Sequence, residues 1–359
     1  EGQGNITSLP KKVNWHNHLR NHCELKIPDE KFKFLYDAAL KTMILHSPKE
    51  VYPGPYTYRR FWFRDAAFIV NAMLCAGLTE RAKNVINCFP SRQNKFGYFL
   101  SQQGEWDSNG EALWAIRRLY EMTRIRPSDQ MLKSIDAGAR WILRKRLPVG
   151  SFSAHAGLLP AGYSAEHLGP NDYYYWDNFW GIAGLEAAVY IENLYGNKDR
   201  AEFLKHEIKK FLICVDVSLQ QAQKRMNTKA MPAAPYRRFD SGAIGSLVAG
   251  YPLQIFNPRD DRLIETVHYL MDNCQVYDGF FHDMTHSGIN PYLTLHIAQV
   301  LLRAGDPRYF HLMVTIANLA SPTGQWPEAI HPKTKGGCMG DGQHVWAAAE
   351  WVMMMRNCF

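Results

Sequence analysis

Tyr173-Tyr174-Tyr175-Trp176-Asp177-Asn178-Phe179-Trp180 opens a helical segment that runs to about residue 195. Polar and aromatic residues crowd its first turn, and small apolar residues follow in Gly181, Ile182, Ala183 and Gly184. The same change of character recurs at Arg64-Asp65-Ala66-Ala67, Asp107-Ser108-Asn109-Gly110, Asp240-Ser241-Gly242, His286-Ser287-Gly288 and Asp341-Gly342-Gln343-His344. Apolar spacing read against Gly, Pro and Asp breakers gives twelve helical segments, at 30–46, 64–76, 79–88, 108–123, 128–146, 176–195, 198–224, 241–249, 259–273, 289–304, 306–320 and 342–356. The decorated starts belong to every second segment. Twelve helices make six hairpins, and if alternate helices form an inner ring running in one direction, all six decorated starts open onto one end of a barrel. The expectation is therefore an all-α fold, a single (α/α)6 six-hairpin barrel over 1–359, with 1–28 a segment outside the barrel.

N-capping alone accounts for an Asp or Ser at any one helix start. Its repetition at six starts, several flanked by Trp, His and Gly, exceeds what capping requires. The loops that feed these ends, at 47–63, 89–107, 147–175, 274–288 and 321–341, are longer than helix connections need, and long loops build sites.

Composition narrows the function. A chain of 359 residues could hold two or three domains, but no low-complexity run, like-charge block or Ser/Gly-rich spacer divides it. With 46% hydrophobic and 21% charged residues it is not a disordered chain. Aromatics reach 13%, with 10 Trp and 18 Tyr, and such faces stack on sugar rings or nucleobases. The net charge of +7 would suit a polyanion, yet the basic residues are scattered through helical segments, so no nucleic-acid partner is expected. No stretch approaches the roughly 18 apolar residues of a membrane span. The seven cysteines are widely spaced without a CxxC pair and read as reduced core residues. His282, His286 and His344 form no HxxxH pattern, so neither metal nor other cofactor is expected. Ser241 lacks a GxSxG elbow, and no P-loop or GxGxxG follows a strand, which sets aside serine-hydrolase and nucleotide chemistry.

Cleaving a glycosidic bond needs one carboxyl group to protonate the leaving oxygen and another to activate water or attack the anomeric carbon. Asp177 sits among aromatic residues, where desolvation would keep a carboxyl protonated as a general acid. Its alternative role is a helix cap. Glu328 lies in Gln325-Trp326-Pro327-Glu328-Ala329, on the loop leading to Asp341 and His344, and is the candidate base. Its alternative is a solvated loop glutamate. Glu111 is the rival acid or base. Trp62, Trp106, Trp176, Trp180 and Trp326 are candidate sugar platforms, and Asp107, Asn109, Glu111 and His344 candidate partners for hydroxyls.

The succession Phe61-Trp62-Phe63-Arg64-Asp65-Ala66-Ala67, Tyr175-Trp176-Asp177, Pro327-Glu328 and Gly342-Gln343-His344-Val345-Trp346-Ala347-Ala348-Ala349-Glu350 resembles the glucoamylase-type glycoside hydrolases and their six-hairpin relatives, including trehalases. The resemblance runs from about Tyr56 to the C-terminus, and the order of the motifs is more specific than any one of them. It implies that Arg64 and Asp65 grip hydroxyls in the cleavage subsite, that Asp177 is the acid and Glu328 the base, and that the reaction inverts. The implied substrate is an oligosaccharide or polysaccharide, with an α-linked glucoside expected. Asp at the acid position departs from the glucoamylase Glu and is closer to the trehalase and glucosidase relatives. The amino-terminal β-sandwich of bacterial glucoamylase-like proteins is also missing. Two other readings stay open: a polysaccharide lyase or sugar epimerase using the tyrosines near Asp177 with Arg237 and Arg238, and a carbohydrate-binding barrel without catalysis.

Overall fold

The computed structural model describes residues 14–150, 152–164, 171–284 and 287–359. After a short helix α1 (Trp15–His18) come α2 (Glu30–Leu45), α3 (Phe63–Cys75), α4 (Thr79–Asn87), α5 (Ser108–Thr123), α6 (Asp129–Lys145), α7 (Tyr175–Tyr195) and α8 (Lys198–Met226). A 3-10 helix, Ser241–Ala249, precedes α9 (Asp261–Asn273), α10 (Pro291–Ala304), α11 (Arg308–Asn318) and α12 (Val345–Cys358). All twelve expected segments are present, the eighth in 3-10 form. The start expected at 286–288 lies instead at Asn290-Pro291, because Gly288–Ile289 is a strand; His286 itself lies outside the described residues.

Alternate helices form a closed inner ring. α3 touches α5, α5 touches α7, α7 touches the 3-10 helix, which touches α10, and α10 touches α12, which returns to α3. Outside it, α2 packs on α12 and α3, α4 on α3 and α5, α6 on α5 and α7, α8 on α7, α9 on the 3-10 helix and α10, and α11 on α10. This is the (α/α)6 barrel. The two rings differ in how their residues are patterned. Every residue of α3 is buried, as are Val345 to Met355 of α12. A helix buried all round belongs inside. In α8 the buried residues Ala201, Leu204, Ile208, Phe211, Val215, Leu219 and Ala222 recur three or four apart, giving one inward stripe.

Capping is more frequent in the outer ring, where only α4 and α11 lack a cap from the N-cap side chain. Asp29, Ser128, Asn197 and Asp260 accept backbone N–H groups at the starts of the outer helices α2, α6, α8 and α9. At the starts of the inner helices α3, α5, α7 and α12 the N-cap residues Trp62, Asp107, Tyr174 and His344 make no side-chain cap bond. Asp240 and Asn290 do cap the other two inner starts. So Asp107, at the N-cap position of α5, is not there to cap.

The barrel axis is filled with aromatic residues. Phe68 stacks on Trp346 with ring centroids 4.4 Å apart, and also meets Trp176, Trp180 and His296. Burying a ring of this size contributes roughly 1.5–3 kcal/mol. Beneath it, Glu350 accepts from Tyr251 Oη (2.9 Å) and Trp346 Nε1 (3.3 Å) and lies 3.1 Å from His296 Nε2.

The long loops hold a small antiparallel sheet, β1 (Gln275–Val276), β2 (Gly279–His282), β3 (Gly288–Ile289), β4 (Ala329–Ile330) and β5 (Gly337–Met339), in that spatial order. It ties the loop before α10 to the loop before α12. Glu328 immediately precedes β4, and Gly340 and Asp341 follow β5. The hairpin thus fixes both.

Candidate active site

The starts of the inner helices meet at one end of the barrel. Arg64, on the first turn of α3, donates from Nε (3.0 Å) and Nη2 (2.7 Å) to Asp107 Oδ2 at the start of α5, and from Nη1 to Glu105 Oε1 (3.3 Å). Asp107 Oδ2 also accepts from Trp176 Nε1 on α7 (2.8 Å), which places Asp177 on the neighbouring position. Asp65 Oδ1 lies 3.9 Å from His344 Nε2 at the head of α12. The His344 ring packs on Tyr292 of α10 and against Tyr58. Tyr58 closes the line by donating its hydroxyl to Glu328 Oε2 (2.5 Å). Contacts therefore run without a break from Glu328 through Tyr58, His344, Asp65 and Arg64 to Asp107 and Trp176. On the remaining side, before the 3-10 helix, Arg237 donates to Asp240 Oδ2 (2.7 Å) and to Tyr174 Oη (3.2 Å).

Glu328 is held from two directions. A Cβ on Gly340, whose φ is +67°, would sit 2.7 Å from Glu328 Oε2 and 2.8 Å from the Tyr58 ring. Only glycine lets the chain pass that close in that conformation. Next along, Asp341 accepts from the backbone N–H groups of Tyr56, Thr57 and Tyr58 (3.0–3.1 Å). Burial would raise its pKa, but these three donors pull it below the ordinary carboxyl value. The loop carrying Tyr58 is thereby wrapped around the loop carrying Glu328.

Under Asp107, one helical turn into the barrel, Glu111 is completely buried. Burial first, and then the negative charge of Asp107, push its pKa well above the ordinary 4.5, against the pull of Arg64. As carboxylates, neither Asp107 Oδ1 nor the Glu111 oxygens find a donor. A proton on Glu111, shared with Asp107 Oδ1, satisfies both. Tyr174 is likewise pushed up to about 12, chiefly by burial.

The expected platforms separate into two groups. Trp62 and Trp106 remain partly exposed at the cleft. Arg60 lies 4.0 Å over the Trp62 ring, and Lys145 3.7 Å over that of Trp106. Trp180 and Trp326 are enclosed, the latter donating to Ile316 O (2.8 Å) and packed on Trp351. They offer no face to a sugar because neighbouring rings already cover them. Trp176 is enclosed too, and its contribution is the hydrogen bond to Asp107. Asn109 spends its amide on the backbone of Gly97, Phe99 and Gly138, so it braces the loop ahead of α5. His282 is buried in β2, and Ser241 donates to Asp283. Arg238 is exposed.

Tyr58, Glu105 and Tyr292 belong to the site without having been expected there. Glu105 had a signal in its place beside Trp106-Asp107; Tyr58 had only its position in a long loop. Among the described residues no group of three His, Cys, Asp or Glu could hold a metal ion, and no helix is long and apolar enough to cross a membrane.

No protein-family model matches the sequence, and no curated protein matches it. Solved structures do. A wild-type glycosidase superposes with a TM-score of 0.70 at 14% identity, covering 92% of this chain and 99% of that one. A bacterial glucoamylase complexed with acarbose gives 0.69 at 13% identity, over 95% of this chain and 57% of the other. The glucoamylase of Saccharomycopsis fibuligera gives 0.67 at 10% identity, over 94% and 97%. At such identities the likeness is one of fold.

Proposed function

Because this chain has the barrel of the glucoamylase-like glycoside hydrolases, we propose that it is a glycoside hydrolase that inverts the anomeric configuration, with an α-linked glucoside or related oligosaccharide as substrate. Asp177 protonates the leaving oxygen, and Glu328 draws a proton from the attacking water. Arg64 and Asp65 bind hydroxyls of the sugar being cleaved, with His344 beside Asp65 and Trp62 and Trp106 along the cleft. Asp107 holds Arg64 and Trp176, and Glu111 supports Asp107 from below.

The observation that carries this reading is the unbroken line of contacts from Glu328 to Trp176 across the ring of helix starts, with Arg64 and Asp65 at its middle. Such a line would set Glu328 at one end of the proposed gripping pair and Trp176, the neighbour of Asp177, at the other. The Tyr58 hydroxyl aims the Glu328 carboxylate, as a general base must be aimed to act on one water. A uronate lyase would want a cation kept for the substrate carboxylate. Arg64 and Arg237 are both neutralised by their own acidic partners, which favours a neutral sugar.

The test is a screen of α- and β-linked gluco-oligosaccharides, with product anomers followed by NMR at early times. Inverted product from an α-linked glucoside supports the proposal. Retained configuration would overturn the inverting mechanism, an unsaturated product would assign a lyase, and binding without turnover would assign a carbohydrate-binding barrel.

A further inference from the structure

Away from the catalytic end, where the inner helices terminate, lies a cavity of about 740 Å³. Four arginines line it: Arg117 and Arg118 of α5, Arg303 of α10 and Arg356 of α12, accompanied by Glu121 and Glu186. The plug formed by Phe68, Trp346 and the Glu350 network stands between it and the sugar-binding end. This is a second site by position, and nothing in the proposed hydrolysis uses it.

The charges there do not balance. Arg118 is committed, donating to Glu121 Oε2 (2.9 Å) and Asn71 Oδ1 (3.0 Å). Arg117 reaches Glu121 only at 3.5 Å and otherwise lies over Tyr190. Among the described residues, Arg303 and Arg356 have no hydrogen bond or ion pair at all. Glu186, whose pKa burial raises against the pull of Arg117, is the second carboxyl of the lining, so four guanidinium groups face two carboxyls.

The unsatisfied buried atoms point the same way. Around this cavity they are donors: Arg117 Nε, Arg303 Nε and Gln299 Nε2, the last on a residue whose oxygen already accepts from Asn357. At the catalytic end they are mixed, the Asp107 and Glu111 carboxyl oxygens together with Asn290 Nδ2. A buried donor without an acceptor is costly, and an incoming group rich in oxygen relieves it. Helix dipoles account for cations in the last turns of α10 and α12. They do not account for Arg117 and Arg118, which lie well before the end of α5, or for the orphaned donors.

We propose that this cavity is a phosphate-binding site, seating a phosphate group, free or esterified to a small sugar, between Arg303 and Arg356 with Arg117 completing the ring. Donors converge from three helices, which suits a tetrahedral dianion with oxygens in several directions better than a planar carboxylate met by one fork. The volume falls in the range of small-molecule sites and leaves room for a sugar-sized body beyond the phosphate.

Thermal-shift and calorimetric titrations of the full chain with inorganic phosphate, glucose 6-phosphate and glucose, at ionic strength matched with chloride, test this. Saturable stabilisation by phosphate that depends on the cavity arginines is expected, whereas any stabilisation by glucose, which the catalytic end can bind, should not depend on them. Arg303→Gln and Arg356→Gln should each weaken it by about tenfold, and the double variant should abolish it, whereas Asp107→Asn at the other end should leave it intact. Tighter binding of glucose 6-phosphate assigns a phosphorylated sugar; equal or weaker binding assigns free phosphate. If the double variant does not fold, Arg117→Gln combined with Arg356→Gln gives the same reading. No saturable shift beyond matched chloride, or a shift that survives the double substitution, overturns the proposal.

Discussion

Replacing Glu111 by Gln should change how stability depends on pH. In the folded protein, burial and the nearby charge of Asp107 hold Glu111 protonated well above its ordinary pKa of 4.5. In the unfolded chain it ionises near that ordinary value. Between the two, the native state binds the extra proton, so its stability is greatest at or below 4.5 and falls as pH rises toward the folded pKa. The loss amounts to about 1.4 kcal/mol per pH unit for one group. With an unfolding entropy of about 2.1 cal/mol/K per residue over 359 residues, each unit lowers the melting temperature by roughly 2 °C. Glutamine has the same shape, and its amide can donate to Asp107 Oδ1 as the protonated carboxyl does, but it has no proton to lose. Calorimetric melting of both proteins from about pH 5 to about pH 8 should therefore show the variant gaining on the parent by roughly 2 °C per unit until the folded pKa is passed. Other buried carboxyls raised by desolvation, Asp172 and Glu186, titrate in both proteins and cancel in the difference. Parallel melting curves would mean that Glu111 and Asp107 share no proton.

Asp177→Asn should abolish cleavage of substrates with poor leaving groups and spare those with activated ones, while Glu328→Gln should impair both, because a good leaving group needs no proton but still needs an activated water; equal losses for Asp177→Asn would remove it as the acid. Asp65→Asn should lower kcat/KM through lost hydroxyl contacts with the pH profile keeping its shape, and a profile that loses one limb would refute a purely binding role. Gly340→Ala forces a Cβ to within 2.7 Å of Glu328 Oε2, so turnover should drop by about 10²-fold with a melting temperature lowered only a few degrees; undiminished turnover would show that the Glu328 carboxyl does not depend on that contact.

What could be read from the sequence followed from chemistry that is local. The inner helices announce themselves because a helix buried on every side must be apolar all along, so its few polar residues can collect only at its exposed start. Those starts therefore marked both the ring and the site, including Arg64, Asp65, Asp107 and His344. The small sheet was not legible, since strands of two to four residues carry no period. Tyr58 escaped for a different reason: its partner Glu328 is 270 residues away, and only the folded ring brings the two loops together. Trp180 and Trp326 resembled Trp62 and Trp106 in sequence, and what distinguishes them is which neighbouring rings cover their faces. Asn109 carried a polar signal at a helix start but serves two backbone groups of a loop and one of α6.

Closure of the inner ring bears on how the chain acquires its activity during synthesis. The last helix, α12, packs on α2 and α3 near the beginning, and the contact between His344 and Asp65 spans the same interval. These seams join elements far apart in the chain, so the early hairpins keep an apolar flank uncovered until α12 has been made. Such distant pairing slows folding and leaves surface that invites self-association in the meantime. It also makes synthesis of the end of the loop before α12 the moment at which His344 and Asp65 can first meet. A chain truncated before His344 would keep five hairpins, an open seam and no contact between His344 and Asp65.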